Sequence, residues 1–193
     1  EGEEIVAEIA AEEEIVAEGE VYVWLDFFSV PQIGTYSNAE ASTDLAKAVR
    51  SIPSYIEQST HFIVVCPTVQ HRDLPDTLCD YGSWQGRGWG RLELFALLMA
   101  RYSNLPAIVM RGGESAPFMI APSCVFSNLP GHGRYTCCDR NHVLPDGRGG
   151  TRTIECDKHK IGEVTARMLR LRQQYHLGRE ELHDYRLWKA MET

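Results

Sequence analysis

At 193 residues and 44% hydrophobic, the chain is long enough for one well-buried domain and too short for two large ones. Its formal net charge of −8 resides in the first twenty residues, which hold nine Glu and no Lys or Arg; the remainder balances eighteen acids against nineteen bases and offers no basic face for nucleic acid. No run of about 18 apolar residues occurs, so no membrane span is expected, and the acidic start resembles neither a signal peptide nor a transit peptide.

Residues 1–20 carry an internal echo, Glu-Ile-Val-Ala-Glu at 4–8 and again at 14–18, and read as a solvated acidic helix with a thin apolar stripe. Val21-Tyr-Val-Trp-Leu25 is an apolar, β-rich run ending in Asp26, the pattern of a strand buried on both faces. A loop with Pro31, Gly34 and Asn38 follows, then a helix over Ala41–Glu57 with Leu45, Ala48, Val49 and Ile52 on one side and a kink or restart at Pro53. His61-Phe-Ile-Val-Val-Cys66 is the second expected strand, stopped by Pro67. The polar stretch 68–88 is long for a loop in a compact domain and predicts a lid or binding loop. Leu92, Phe95, Ala96 and Met99 keep helical spacing, and Pro106–Met110 is a third strand closed by Gly112-Gly113.

Beyond residue 113 the character changes. Arg134–Cys138 and Thr151–Cys156 predict two strands around the turn signal Pro145-Asp-Gly147. Ile161, Val164, Met168, Leu171 and Tyr175 mark a helix ended by Gly178, and Leu182, Tyr185 and Trp188 mark a last one. The chain stops in helical character without a stop signal, as part of a longer chain would. The expected organisation is an acidic segment 1–20 and one α/β domain over 21–193, with an elaboration from about 114 onward. Its sheet is parallel, with helices on both faces and a C-terminal hairpin and helices appended.

Four groups of residues carry the chemical expectations. Asp26, at a strand's carboxyl end, is placed either to meet a ligand or to cap its loop, and the Ser29 hydroxyl offers the same two choices. Glu93 is expected in the first turn of its helix, where the dipole alone would favour it. Its neighbours add a functional choice: Trp89 could wall a pocket, Arg87 and Arg91 could hold phosphates or pair with the acid, and the glycines at 86, 88 and 90 would allow close backbone approach. Cys138 with His142 and Cys156 with His159 are two Cys–His pairs that the hairpin could join around zinc, although free thiols with surface histidines are the favoured assignment and no metal is expected. The six cysteines read as reduced thiols of a cytoplasmic protein.

Phe62-Ile-Val-Val-Cys66-Pro67, Ser83-Trp84, Trp89-Gly-Arg-Leu-Glu93 and Val23-Trp-Leu-Asp-Phe-Phe-Ser-Val-Pro-Gln32 together resemble TIR (Toll/interleukin-1 receptor) domains of the protist type, with Gly90 where the family motif has Cys. The resemblance covers roughly residues 21–112 and implies a flavodoxin-like sheet whose first strand and helix would precede residue 21; residues 134–160 fall outside it. It implies an intracellular signalling domain that acts by self-association, or by association with other TIR-like domains. The alternative it implies is cleavage of the nicotinamide–ribose bond of NAD⁺, with Glu93 catalytic, Asp26, Ser29, Trp89 and Arg91 lining the nucleotide site, and NAD⁺ a substrate rather than a required cofactor. A structural α/β domain with a Cys/His metal clip is the further alternative.

Overall fold

The computed structural model describes residues 21–29, 39–72, 76–100, 106–113, 115–145 and 149–192. The expected acidic helix over 1–20 and most of the loop after Phe27 lie outside these residues. Among them the chain is mixed α/β. Helices α1 (Asp26–Ser29) and α2 (Ala39–Gln58) lead to β1 (Phe62–Val65), and the short strands β2 (Val69–Gln70) and β3 (Leu78–Cys79) lead to α3 (Tyr81–Gly86), α4 (Gly88–Met99) and β4 (Ala107–Met110). Then come β5 (Phe118–Ile120), a 3₁₀ turn (Pro122–Ser127), α5 (Thr136–Asp139), β6 (Val143–Pro145), β7 (Thr151–Thr153), α6 (Asp157–Gly178) and α7 (Leu182–Ala190).

The sheet order is β1–β4–β5, with β1 and β4 parallel from Phe62↔Ala107 to Val65↔Met110 and β5 antiparallel to β4. Val64 and Val109 are paired and buried at 4% and 0% exposure, so one face packs into the core. Ile63 and Val65 keep 41% and 68% of their surface, so β1 is not the strand buried on both faces that its composition predicts. β5 lies in a stretch where no strand is expected from the sequence, since three residues among Pro and Ser are too short for a period to emerge.

The core centres on α4. Its residues Leu92, Leu94, Phe95, Ala96, Leu97 and Met99 are all buried, which makes it an interior helix apolar nearly all round rather than an amphipathic one. It lies against α2, α3, the 3₁₀ turn and α6. Ile52 and Ile56 of α2 and Ile161, Val164 and Met168 of α6 complete the cluster. Helix α2 runs through Pro53 as one element rather than restarting there, and α6 ends at Gly178 as expected.

Three expectations are overturned. Residues 21–25 form no strand: Val21, Tyr22, Val23 and Leu25 are 76, 84, 65 and 51% exposed, while Trp24 stacks on Tyr55 of α2 with ring centroids 5.3 Å apart. A β-prone run still needs a neighbouring strand to complete its hydrogen-bond ladder, and periodicity cannot supply one. The stretch 68–88 is not a free lid, because β2 pairs with β3 and α3 is closed by a capping box in which Ser83 N donates to Asp80 Oδ1 at 2.7 Å and Asp80 N to Ser83 Oγ at 2.8 Å. Finally, Arg134–Cys138 is not a strand. Tyr135 is buried at 3%, its hydroxyl donates to the Pro130 carbonyl, and the chain turns directly into α5. The hairpin partner of Thr151–Thr153 is instead Val143–Pro145.

Candidate functional site

Helix α4 starts at Gly88, five residues ahead of Glu93. Glu93 therefore sits in the second turn, beyond the backbone N–H groups whose dipole would explain a first-turn acid. The glycines account for the shift. A Cβ on Gly88 would come within 2.5 Å of the Tyr135 ring and 2.7 Å of Ile161, and one on Gly90 within 2.9 Å of the Trp84 ring and carbonyl. Both glycines admit side chains of the core rather than a ligand. They let the helix begin where propensity predicts a loop.

Glu93 is the sole acid of a helix otherwise committed to the core. Burial, reinforced by the nearby Asp26 charge and opposed by Arg87, raises its pKa from 4.5 to about 8. Asp26 opens α1 and is exposed as a residue, yet enough protein surrounds its carboxyl for desolvation to raise its pKa as well, again opposed by Arg87. The two acids and the arginine thus form one electrostatic group. Asp26 ionises first, and its charge helps hold the proton on Glu93. Two carboxyls whose surroundings separate their pKa values are the usual arrangement of an acid–base site.

The other sequence candidates have structural work. The Ser29 hydroxyl accepts from Leu25 N at 3.0 Å and the Ser29 backbone N–H donates to Leu25 O at 2.7 Å, so it closes the α1 turn. Burial raises the pKa of Asp157 at the start of α6 and the neighbouring Trp89 side chain lowers it, which places Trp89 at the contact between that helix and α4. Arg91 is 3% exposed. Its Nη1 donates to the Gly86 and Gln85 carbonyls at 2.8 and 3.3 Å, its Nη2 donates to Arg134 O at 2.9 Å, and its guanidinium lies 5.1 Å over the Tyr135 ring. These partners make it a brace between α3 and the segment before α5, not a phosphate ligand.

The Cys/His candidates converge with one exchange. Cys138, His142 and Cys156 come together, with ligand atoms within 4.8 Å of one another, but their fourth member is Cys137. His159 is exposed on α6, outside the cluster. The one-turn helix α5 carries Cys137 and Cys138 side by side and brings both sulfurs to the cluster.

A groove of about 560 Å³ lies between α2 and α6, lined by Arg50, Ser54, Glu163, Arg167 and Arg170 among others. It includes neither acid of the pair. Comparison with protein-family models, curated proteins and solved structures gives no match. No described helix is long and apolar enough to cross a membrane.

Proposed function

We propose that the chain is a TIR-like, flavodoxin-like α/β domain that cleaves the nicotinamide–ribose bond of NAD⁺ at the Glu93–Asp26 pair. The observation that carries this reading is the placement of Glu93, a half-buried acid past the first turn of a core helix and close enough to Asp26 for the second acid's charge, with burial, to raise its pKa. An isolated carboxyl buried there costs stability, and a charge-bearing substrate gives it a use.

As the C1′–N bond lengthens, positive charge moves from the pyridinium ring onto the ribose. An ionised carboxylate beside C1′ stabilises that oxocarbenium-like state, and nicotinamide leaves neutral. Water then adds at C1′ and loses a proton, giving ADP-ribose. Near pH 7 free Glu93 holds its proton. The approaching pyridinium favours ionised Glu93, so productive binding expels that proton. The value of kcat/KM should accordingly rise about tenfold per pH unit below about 8 and level off above it. Nicotinamide release by purified protein over pH 6–9, followed chromatographically, tests this. No turnover at any pH or protein concentration defeats the enzymatic reading.

A second reading, a cytoplasmic signalling domain acting by self-association, is favoured by a separate observation. Val21, Val23 and Leu25 keep 76, 65 and 51% of their surface, an exposed apolar segment of the kind that a partner covers. Val23→Ser should weaken assembly in sedimentation velocity while leaving the thermal midpoint unchanged. Wild-type protein that stays monomeric at all concentrations counts against it.

A further inference from the structure

We propose that Cys137, Cys138, His142 and Cys156 bind one Zn²⁺ as a closed structural site that fastens the C-terminal elaboration to α6. This inference is independent of the NAD⁺ reading. The geometry fits the ion. Cys138 Sγ lies 4.0 Å from Cys137 Sγ, 3.8 Å from Cys156 Sγ and 3.5 Å from His142 Nε2. With Zn–S near 2.3 Å and Zn–N near 2.0–2.1 Å, a tetrahedron has S···S edges of about 3.8 Å and S···N edges of about 3.5 Å. A disulfide would instead bring sulfurs to about 2.05 Å. Cys137 is buried and the other three residues are half-buried, so the donors are grouped inside the protein edge rather than scattered over it.

The backbone is shaped for the same end. Asn141 and His142 adopt positive φ of 51° and 58°, two successive non-glycine residues in the left-handed region. That conformation is costly for histidine and persists where surrounding contacts hold it. Here His142 N donates to Cys137 O at 2.7 Å and Ile154 N donates to His142 O at 2.8 Å. The turn thereby points the imidazole back at α5, and the hairpin returns the chain to Cys156.

The hairpin itself has little core. Thr151, Arg152 and Thr153 are all exposed, as are Val143 and Pro145. Two three-residue strands without a buried face are marginal in water, and a metal supplies the missing cohesion. Three thiolates and one imidazole suit zinc among biological divalent ions, and four protein ligands leave no position for substrate. Cys156 is the N-cap of α6, which packs against α4, so the clip also steadies the join between these two helices.

The test is zinc content of the full chain purified in reductant without chelator. We expect about one zinc per chain in wild type and in the controls Cys124→Ser and His159→Ala, and background zinc in Cys138→Ser and His142→Ala. Should the ligand variants fail to fold, wild-type protein stripped by chelator and titrated with Co²⁺ should develop the intense visible bands of tetrahedral thiolate coordination, saturating at one equivalent. Zinc-free wild type that shows only the pale octahedral cobalt spectrum overturns the proposal. So does full zinc retained by folded Cys138→Ser, or a Cys138–Cys156 disulfide trapped from reducing lysate.

Discussion

Glu93→Gln should reduce NAD⁺ cleavage at least about 10²-fold and, in the same protein, raise thermal stability at alkaline pH. The two effects share one cause. Because the folded pKa of about 8 exceeds the ordinary 4.5, the native state binds more protons than the unfolded state between these values. Wild-type stability therefore falls as pH rises from about 4.5 to about 8 and is flat beyond, an overall cost on the order of a few kcal/mol. Glutamine keeps the shape and removes the charge, so the variant should match wild type near pH 4 and exceed it by several degrees in Tm at pH 9. A variant that is more stable but inactive is the signature of a residue retained for function. Equal or lower stability of Glu93→Gln at pH 9 would mean that Glu93 is stabilised by its surroundings and serves the fold.

Arg91→Met is expected to cost about 3–5 kcal/mol, lowering Tm on the order of 10 °C. It leaves the carbonyls of Gly86 and Arg134 without their Arg91 donor, leaves Gln85 O to Asn128 Nδ2 alone, and takes one of two cations, Lys158 being the other, from the face of Tyr135. Arg91→Lys should rescue little, since one ammonium cannot span carbonyls on two sides of a planar fork. Thermal unfolding of both variants measures this. Unchanged stability with weakened NAD⁺ affinity would make Arg91 the ligand contact that its neighbourhood in the sequence suggests.

Much of the framework is legible from pattern alone. The helices carrying Ile52, Phe95, Ile161 and Trp188 and the strands at Phe62–Val65 and Ala107–Met110 announce themselves by period and punctuation. The failures have physical causes. Val21–Leu25 has the composition of a strand, but pairing is a property of the neighbour, and Trp24 finds Tyr55 instead. The Gly-rich stretch at 86–90 reads as loop because glycine disfavours helix; at Gly88 and Gly90 the inserted Tyr135 and Trp84 rings outweigh that propensity.

The site was half visible. Residue types single out Glu93 and Asp26, but only the fold couples their charges and removes the helix-dipole explanation for Glu93. The same stretch offers Trp89 and Arg91 with equal chemical promise, but Trp89 sits beside Asp157 at the contact with α6 and Arg91 donates to three carbonyls. Cys137 shows the converse case: two adjacent cysteines look redundant until a single helical turn brings both sulfurs to the cluster.

The most direct measurement is the titration of the Glu93 carboxyl by ¹³C NMR, alone and with NAD⁺. The functional reading predicts a midpoint near 8 in the free protein, Asp26 titrating earlier, and a fall of the Glu93 midpoint when the pyridinium ring is bound. A Glu93 midpoint in the ordinary carboxylate range, unmoved by saturating NAD⁺, would contradict it.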